Sequence, residues 1–187
     1  MLGTLVRSET NVVLEPIVAW RAWTLTGHRN GTGLRLRPIS GSPRPWPPLE
    51  PAHGTCRRRR LHLVPGMDCT CGLHAMHDPD PLRRARNPAV IGTAALWGRV
   101  VEHEYGYRGE FAYPQQLRLV CHLCLWRKGA AGDRCAVVIR LRGGRLVPLC
   151  AEHLELSRRY GYPMPRFLPA RDIEQGLRST YRVDAAP

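Results

Sequence analysis

Lysine is almost missing from this chain: among 28 basic residues only Lys128 is one, and the rest are arginine. A GC-rich coding sequence yields that skew without selection for guanidinium chemistry. Acids are scarce as well, 15 against 28 bases, which leaves a formal charge of +13 and excludes an acidic tail protein. The excess of bases, unlike the preference for arginine, calls for a partner or a solubility role. Long apolar runs are absent. Residues 88–98 form the longest weakly polar stretch, interrupted by Gly92 and Thr93 and well short of the roughly 18 to 20 residues of a membrane span. Residues 1–6 are mildly apolar, but Arg7, Glu9 and Glu15 follow too soon for a secretory signal, so a soluble, cytoplasmic protein with no membrane partner is expected. Enzyme fingerprints are missing too. There is no Gly-x-Ser-x-Gly elbow, phosphate loop or dinucleotide motif, and His103-Glu104 lacks the second histidine that a zinc protease helix needs.

What remains is enough for a fold. The 187 residues suit one ordinary domain or two small lobes, and 43% apolar residues suffice for a core, while 18 Gly and 17 Pro promise long irregular connections. Alternation in Ala19-Trp20-Arg21-Ala22-Trp23-Thr24-Leu25-Thr26, a break at Asn30-Gly31-Thr32-Gly33 and resumption in Leu34-Arg35-Leu36-Arg37 predict a hairpin, with Trp20 and Trp23 on opposite faces. The proline-rich residues 40–51 cannot continue a ladder and read as an extended loop. Residues 89–113 read as strand, turn, strand, with Val90, Ile91, Leu96, Trp97, Val100 and Val101 buried and Pro114 ending the return. A short strand at residues 117–120 follows. Further on come a hairpin around Gly143-Gly144, a helix over residues 151–160, and a last helix over 170–180 with Ile173 and Leu177 on one face and Tyr181 beyond. Asp184-Ala185-Ala186-Pro187 read as a frayed end.

Seven cysteines cluster with histidines at short spacing, a pattern that in a reducing compartment favours metal over disulfides. Cys121-x2-Cys124 and, 25 residues on, Cys150-x2-His153 form two pairs that can close a tetrahedron around one structural zinc ion. The order of knuckle, hairpin and helix resembles a treble-clef zinc finger. His122 reads as a bystander and Cys135 as a free core thiol in preference to a ligand. A second set is Cys56-x12-Cys69-x-Cys71, whose fourth place either His62 or His74 could fill, with His53 and His77 flanking. Spacing does not choose. His74, at i+3 from Cys71, suits a short helix starting at Gly72, whereas His62 lies on an extended segment that can fold back.

Trp20-Arg21-Ala22-Trp23, Cys69-Thr70-Cys71-Gly72-Leu73-His74-Ala75 and the segment from Leu96-Trp97-Gly98-Arg99-Val100-Val101-Glu102-His103-Glu104-Tyr105-Gly106-Tyr107-Arg108 to Ala112-Tyr113-Pro114 resemble a family of uncharacterised small bacterial and phage proteins. The resemblance spans residues 18–119 and implies no activity. Members of that family carry a tyrosine where His74 stands and keep a histidine near His62, which implies His62 as fourth ligand and His74 as a substitute.

The fold class expected is α+β: a β-rich lobe with a Cys/His cluster over residues 1–116, then a treble-clef-like zinc unit with C-terminal helices over 117–187. Little core of its own is expected, with one or two Zn2+ ions providing rigidity. Arg57, Arg58, Arg59 and Arg60 lie within the first cluster, Arg83 and Arg84 follow it, and Arg127, Lys128, Arg158 and Arg159 accompany the second. Cations held by zinc-stapled loops suit phosphate neutralisation, so nucleic acid, DNA or RNA, is the expected partner of a non-enzymatic accessory or regulatory factor. Trp46, Trp97 and Trp126 are candidates for base stacking, against core packing. An adaptor docking on an acidic protein is the alternative. A zinc hydrolase using His103 is a third reading, and it requires an open place on a metal.

Overall fold

In the computed structural model, residues 10–28, 31–40, 44–58, 62–129, 133–159 and 167–187 are described. The N-terminal residues 1–6, Asn30, Pro43, Arg59, Arg60 and Tyr160 therefore lie outside the described residues, as does the side chain of Arg158. The architecture is α+β. Strands β1 (Thr10–Thr26), β2 (Arg35–Pro38), β3 (Ala52–His53), β4 (Leu73–Met76), β5 (Val90–His103), β6 (Gly106–Leu119), β7 (Val137–Arg140), β8 (Arg145–Leu149), β9 (Phe167–Pro169) and β10 (Asp184–Ala185) join in one sheet. Helices α1 (His122–Lys128), α2 (Ala151–Arg159) and α3 (Ala170–Tyr181) complete it, with a 3-10 turn at Asp80–Arg84.

The sheet is organised by β1, β5 and β6. β5 pairs antiparallel with β1 on one side and with β6 on the other. β4 then joins the free edges of the same two strands: Leu73–Met76 lies against Gly106–Gly109 of β6, and Met76 meets Trp20 of β1. The pairings β1–β5–β6–β4–β1 thus form a closed circuit. Strands this long close only if they bend, and bulges between Thr93 and Ala94 and between Trp97 and Val100 supply the bend. Gly98 sits in the second bulge at φ +73°, and a Cβ there would also meet the Phe111 ring. Gly106 is required by proximity: a Cβ would fall against the Ala75 carbonyl of β4. Beyond Trp23 the edge of β1 occupied by β5 is taken by β8 at Leu25 and Thr26, while β2 pairs across the opposite edge. The ladder therefore crosses from residues 1–116 into 117–187 without a gap in pairing.

Several expectations hold. The hairpins β1–β2, β5–β6 and β7–β8 are present, and α3 buries Ile173, Leu177 and Tyr181. Trp23 enters the main core, and Trp20 packs on a second cluster with Ala22, Leu82, Ile91, Val120 and Leu125. Others are corrected. Pro114 does not end the return strand, because it sits opposite Ala94 at the bulge, where its missing N–H costs no regular ladder bond; β6 runs on to Leu119. Asp184 and Ala185 are not frayed: they pair parallel with Gln116 and Leu117, and the Ala186 N–H donates to the Leu117 carbonyl at 3.2 Å. Trp97 is half-buried, stacked on Phe111 with ring centroids 6.1 Å apart.

The expectation of little core is also overturned. Trp23, Leu25, Leu34, Leu36, Val90, Leu96, Leu117, Leu146, Leu177 and Tyr181 belong to one contiguous buried cluster. The proline-rich loop contributes to it through Trp46, only 3% exposed, whose ring meets Trp23 edge-on at 5.3 Å. Tyr181 fastens the loop: its hydroxyl donates to the Trp46 carbonyl at 2.8 Å and accepts from the Leu36 N–H at 3.0 Å. Trp46 is thereby unavailable for stacking on a base.

Candidate metal centres

The C-terminal centre is built where β6 hands over to α1. Cys121, two residues past the end of β6, stands at the N-cap of α1, so Cys124 falls in the first helical turn. The pair expected on a tight knuckle is thus carried by the start of a seven-residue helix. The β7–β8 hairpin returns the chain to Cys150, and α2 opens there, with the Leu154 N–H donating to the Cys150 carbonyl at 3.0 Å. One turn along, His153 faces the same way as Cys150. Its Nδ1 lies 3.4 Å from Cys121 Sγ, 3.4 Å from Cys124 Sγ and 3.0 Å from Cys150 Sγ, and Cys124 Sγ is 3.4 Å from Cys150 Sγ. A tetrahedral ion with bonds of about 2.3 Å to sulfur and about 2.0 Å to nitrogen sets its donors roughly 3.5 to 3.8 Å apart. A disulfide sulfur pair would stand at about 2.05 Å. The observed distances, 3.0 to 3.4 Å, are slightly shorter than those of a tetrahedral site and far outside disulfide range, and all four residues are buried.

Four such groups gathered without a cation would be unfavourable. Burial, then the neighbouring thiols, pushes Cys124 up to about 12, so thiolate formation is opposed until a cation offsets it. The donor set therefore fits a metal ion. Cys135 stays outside the set, packed between the main core and the centre, and burial raises its pKa as well. His122 is also outside it.

The N-terminal centre is assembled on loops. Cys56, His62, Cys69 and Cys71 offer donor atoms that all lie within 4.8 Å of one another. Cys56 Sγ is 3.7 Å from Cys69 Sγ, and His62 Nε2 is 3.7 Å from Cys71 Sγ. The Gly66 N–H donates to Cys71 Sγ at 3.4 Å, an interaction that favours thiolate at a metal-binding sulfur. All four residues are half-buried, in contrast to the C-terminal set.

His74, the other candidate for the fourth place, is carried away from the thiols. Residues 73–76 form β4 and not a short helix, and His74 Nε2 donates to the Thr70 carbonyl at 2.9 Å. The reason is the edge of β6: pairing with Gly106–Gly109 fixes Leu73–Met76 as strand, with Leu73 and Ala75 buried and His74 on the other face.

Arg108 is the residue that spacing did not single out for this centre. It is 8% exposed, and Nη1 donates to the carbonyls of Gly66 (3.1 Å), Cys71 (3.3 Å) and Cys69. One guanidinium thus gathers the turn that carries two of the thiols. Three thiolates and one neutral imidazole around a divalent cation leave a net charge of −1, which an adjacent guanidinium balances. Arg21 acts similarly one layer deeper: it donates to the His74 carbonyl and lies 4.9 Å over the Trp46 ring, and burial lowers its pKa to about 10. The sequence places both arginines on strands but carries no sign that either is buried.

His103, the residue on which a hydrolase reading turns, ends β5. Its Nδ1 accepts from the Tyr105 N–H at 3.3 Å, and its ring centre is 6.4 Å from that of His74. It joins neither donor set. Each set has four protein donors, so a tetrahedral ion in either would have no open position for water or substrate.

The basic residues divide by surroundings. Arg57, Arg58, Arg83, Arg84, Arg127, Lys128 and Arg159 are exposed. Lys128 pairs with Asp133 at 2.8 Å, Arg127 with Glu152 at 3.9 Å and Arg159 with Glu155 at 3.7 Å. Arg83 Nη2 donates to the carbonyls of Trp126 (3.3 Å) and Arg127 (3.4 Å), which docks the Asp80–Arg84 turn on the last turn of α1. Two sequence-distant basic pairs, Arg83-Arg84 and Arg127-Lys128, are thereby brought near each other. Among the described residues no helix is long and apolar enough to cross a membrane. Protein-family models, curated proteins and solved structures were compared with this chain, and none matches.

Proposed function

We propose that this chain is a zinc-stabilised, non-enzymatic nucleic-acid-binding factor. The observation that carries the reading is the docking of the Asp80–Arg84 turn on α1, which sets Arg83 and Arg84 beside Arg127 and Lys128 on a chain of formal charge +13. Among the described residues neither Arg83 nor Arg84 is ion-paired, so Arg84 above all can neutralise phosphate and release its counterions. Zinc is the ion that suits two closed Cys3His sets in a reducing compartment such as the cytoplasm. The order of first donor pair, β7–β8 hairpin and α2 supports a treble-clef-like reading of residues 117–187. The relatedness suggested by the Trp20–Trp23, Cys69–Ala75 and Leu96–Pro114 wording remains part of this proposal.

Gel shift across a salt series tests the reading. Affinity should fall steeply with salt, and Arg84→Ala should flatten the slope by about one unit, the share of one lost phosphate contact. Absence of association at low salt overturns it. Capture of an acidic protein that persists after nuclease treatment would establish the adaptor instead. Elemental analysis should find two zinc ions per chain, falling by one in Cys121→Ser and by one in Cys69→Ser.

A further inference from the structure

Two large aromatic side chains near the docked Asp80–Arg84 turn stand mostly in solvent. Trp126, on the outer side of α1, is 67% exposed, and Tyr105, at the β5–β6 turn, is 61% exposed. For rings of this size such exposure forgoes a large burial gain, although the core has room for aromatics such as Trp23 and Tyr181. The two line one cleft of about 500 Å³ together with Asp80, Pro81, Arg83 and Arg84. That volume lies within the roughly 300 to 1,000 Å³ typical of small-ligand sites.

We infer that this cleft is a stacking site for unpaired bases, so that the preferred ligand is single-stranded nucleic acid. The inference rests on the nucleic-acid reading above and deepens it. Trp126 and Tyr105 present ring faces that only an unstacked base can meet, because in a duplex those faces are already covered by neighbouring pairs. Arg84 supplies the cation for the adjoining phosphate, and Arg83 is committed to holding α1, and with it Trp126, in place. The Asp80 carboxylate on the same wall repels phosphate and accepts from base amino groups, which orients a strand with its backbone toward Arg84 and its bases toward the aromatic pair. The Tyr105 hydroxyl is tied to Glu104, which limits the freedom of that ring at the rim.

The test uses the full chain with both metals bound, a fluorescein-labelled 12-nucleotide single strand of mixed sequence, and the blunt duplex of that sequence, measured by anisotropy at low salt. The single strand should bind more tightly than the duplex and quench tryptophan fluorescence. Trp126→Ala should weaken single-strand binding on the order of 10- to 100-fold, with duplex binding unchanged, and Trp126→Phe should restore most of the loss. Tyr105→Ala, on the β5–β6 turn and outside both donor sets, should show the same selectivity and serves if Trp126→Ala alters metal content. Equal affinity for both ligands, with neither substitution affecting either, overturns the stacking site and leaves phosphate binding standing. Failure to bind either ligand overturns both readings.

Discussion

Replacing Cys150 with serine should release the C-terminal ion and unfold only the elements it ties together. The apolar side chains buried around that centre are few: Ile139 and Leu149 are the buried aliphatics beside the ligands, worth roughly 1.5 to 3 kcal/mol each. Against them stand the seven residues of α1 and the nine of α2, each costing about 1 kcal/mol or more of backbone entropy to order. Helices this short are marginal alone. A structural zinc ion contributes about 10 to 16 kcal/mol in isolated fingers, comparable with the roughly 10 to 13 kcal/mol these helices lack. The main sheet has its own core through Trp23, Leu36, Leu117 and Leu177, and does not share that dependence. Local opening of α1 and α2 should therefore become easier by about 3 kcal/mol or more, on the order of a 100-fold loss of amide protection. Hydrogen exchange read peptide by peptide, with metal content measured on the same sample, checks this. Peptides over residues 121–129 and 150–159 should lose protection while those over β5 and β6 keep it. Unchanged protection in α1 and α2 after loss of one ion per chain would refute the reasoning, and so would collapse of protection throughout.

Two further outcomes follow from residues that hold structure without binding metal. Arg108→Gln should weaken metal retention at the N-terminal centre by about 10- to 100-fold in a chelator competition, leaving the C-terminal ion in place; wild-type retention at both would remove the positioning role. Tyr181→Phe should leave the Leu36 N–H and the Trp46 carbonyl without their buried partner and cost about 1 to 3 kcal/mol, seen as a Tm lower by several degrees, and an unchanged Tm would contradict it.

Local patterns in this sequence were legible, and long-range ones were not. Alternation around Trp20–Leu25 and glycine pairs at turns marked the hairpins, since both signals are carried by adjacent residues. The C-terminal set could be read from spacing because its donors fall in two closely spaced pairs, and so could the three thiols of the N-terminal set, but not its fourth donor. The choice of His62 over His74 depended on β4 pairing with β6, a contact between residues 30 to 36 positions apart, which no local pattern reports. The continuation of β6 through Pro114 and the pairing of Asp184–Ala185 depended likewise on where a partner strand lay. Arg108 and Trp46 look like a surface charge and a loop aromatic until their partners are known.

β6 has a particular position between the two centres. Near its start, Arg108 grips the turn of the first; two residues past its end, Cys121 opens the second. One ribbon of about 44 Å at full extension therefore runs from one donor set to the other. A displacement of either donor set has a direct route to the other through the backbone of β6 itself.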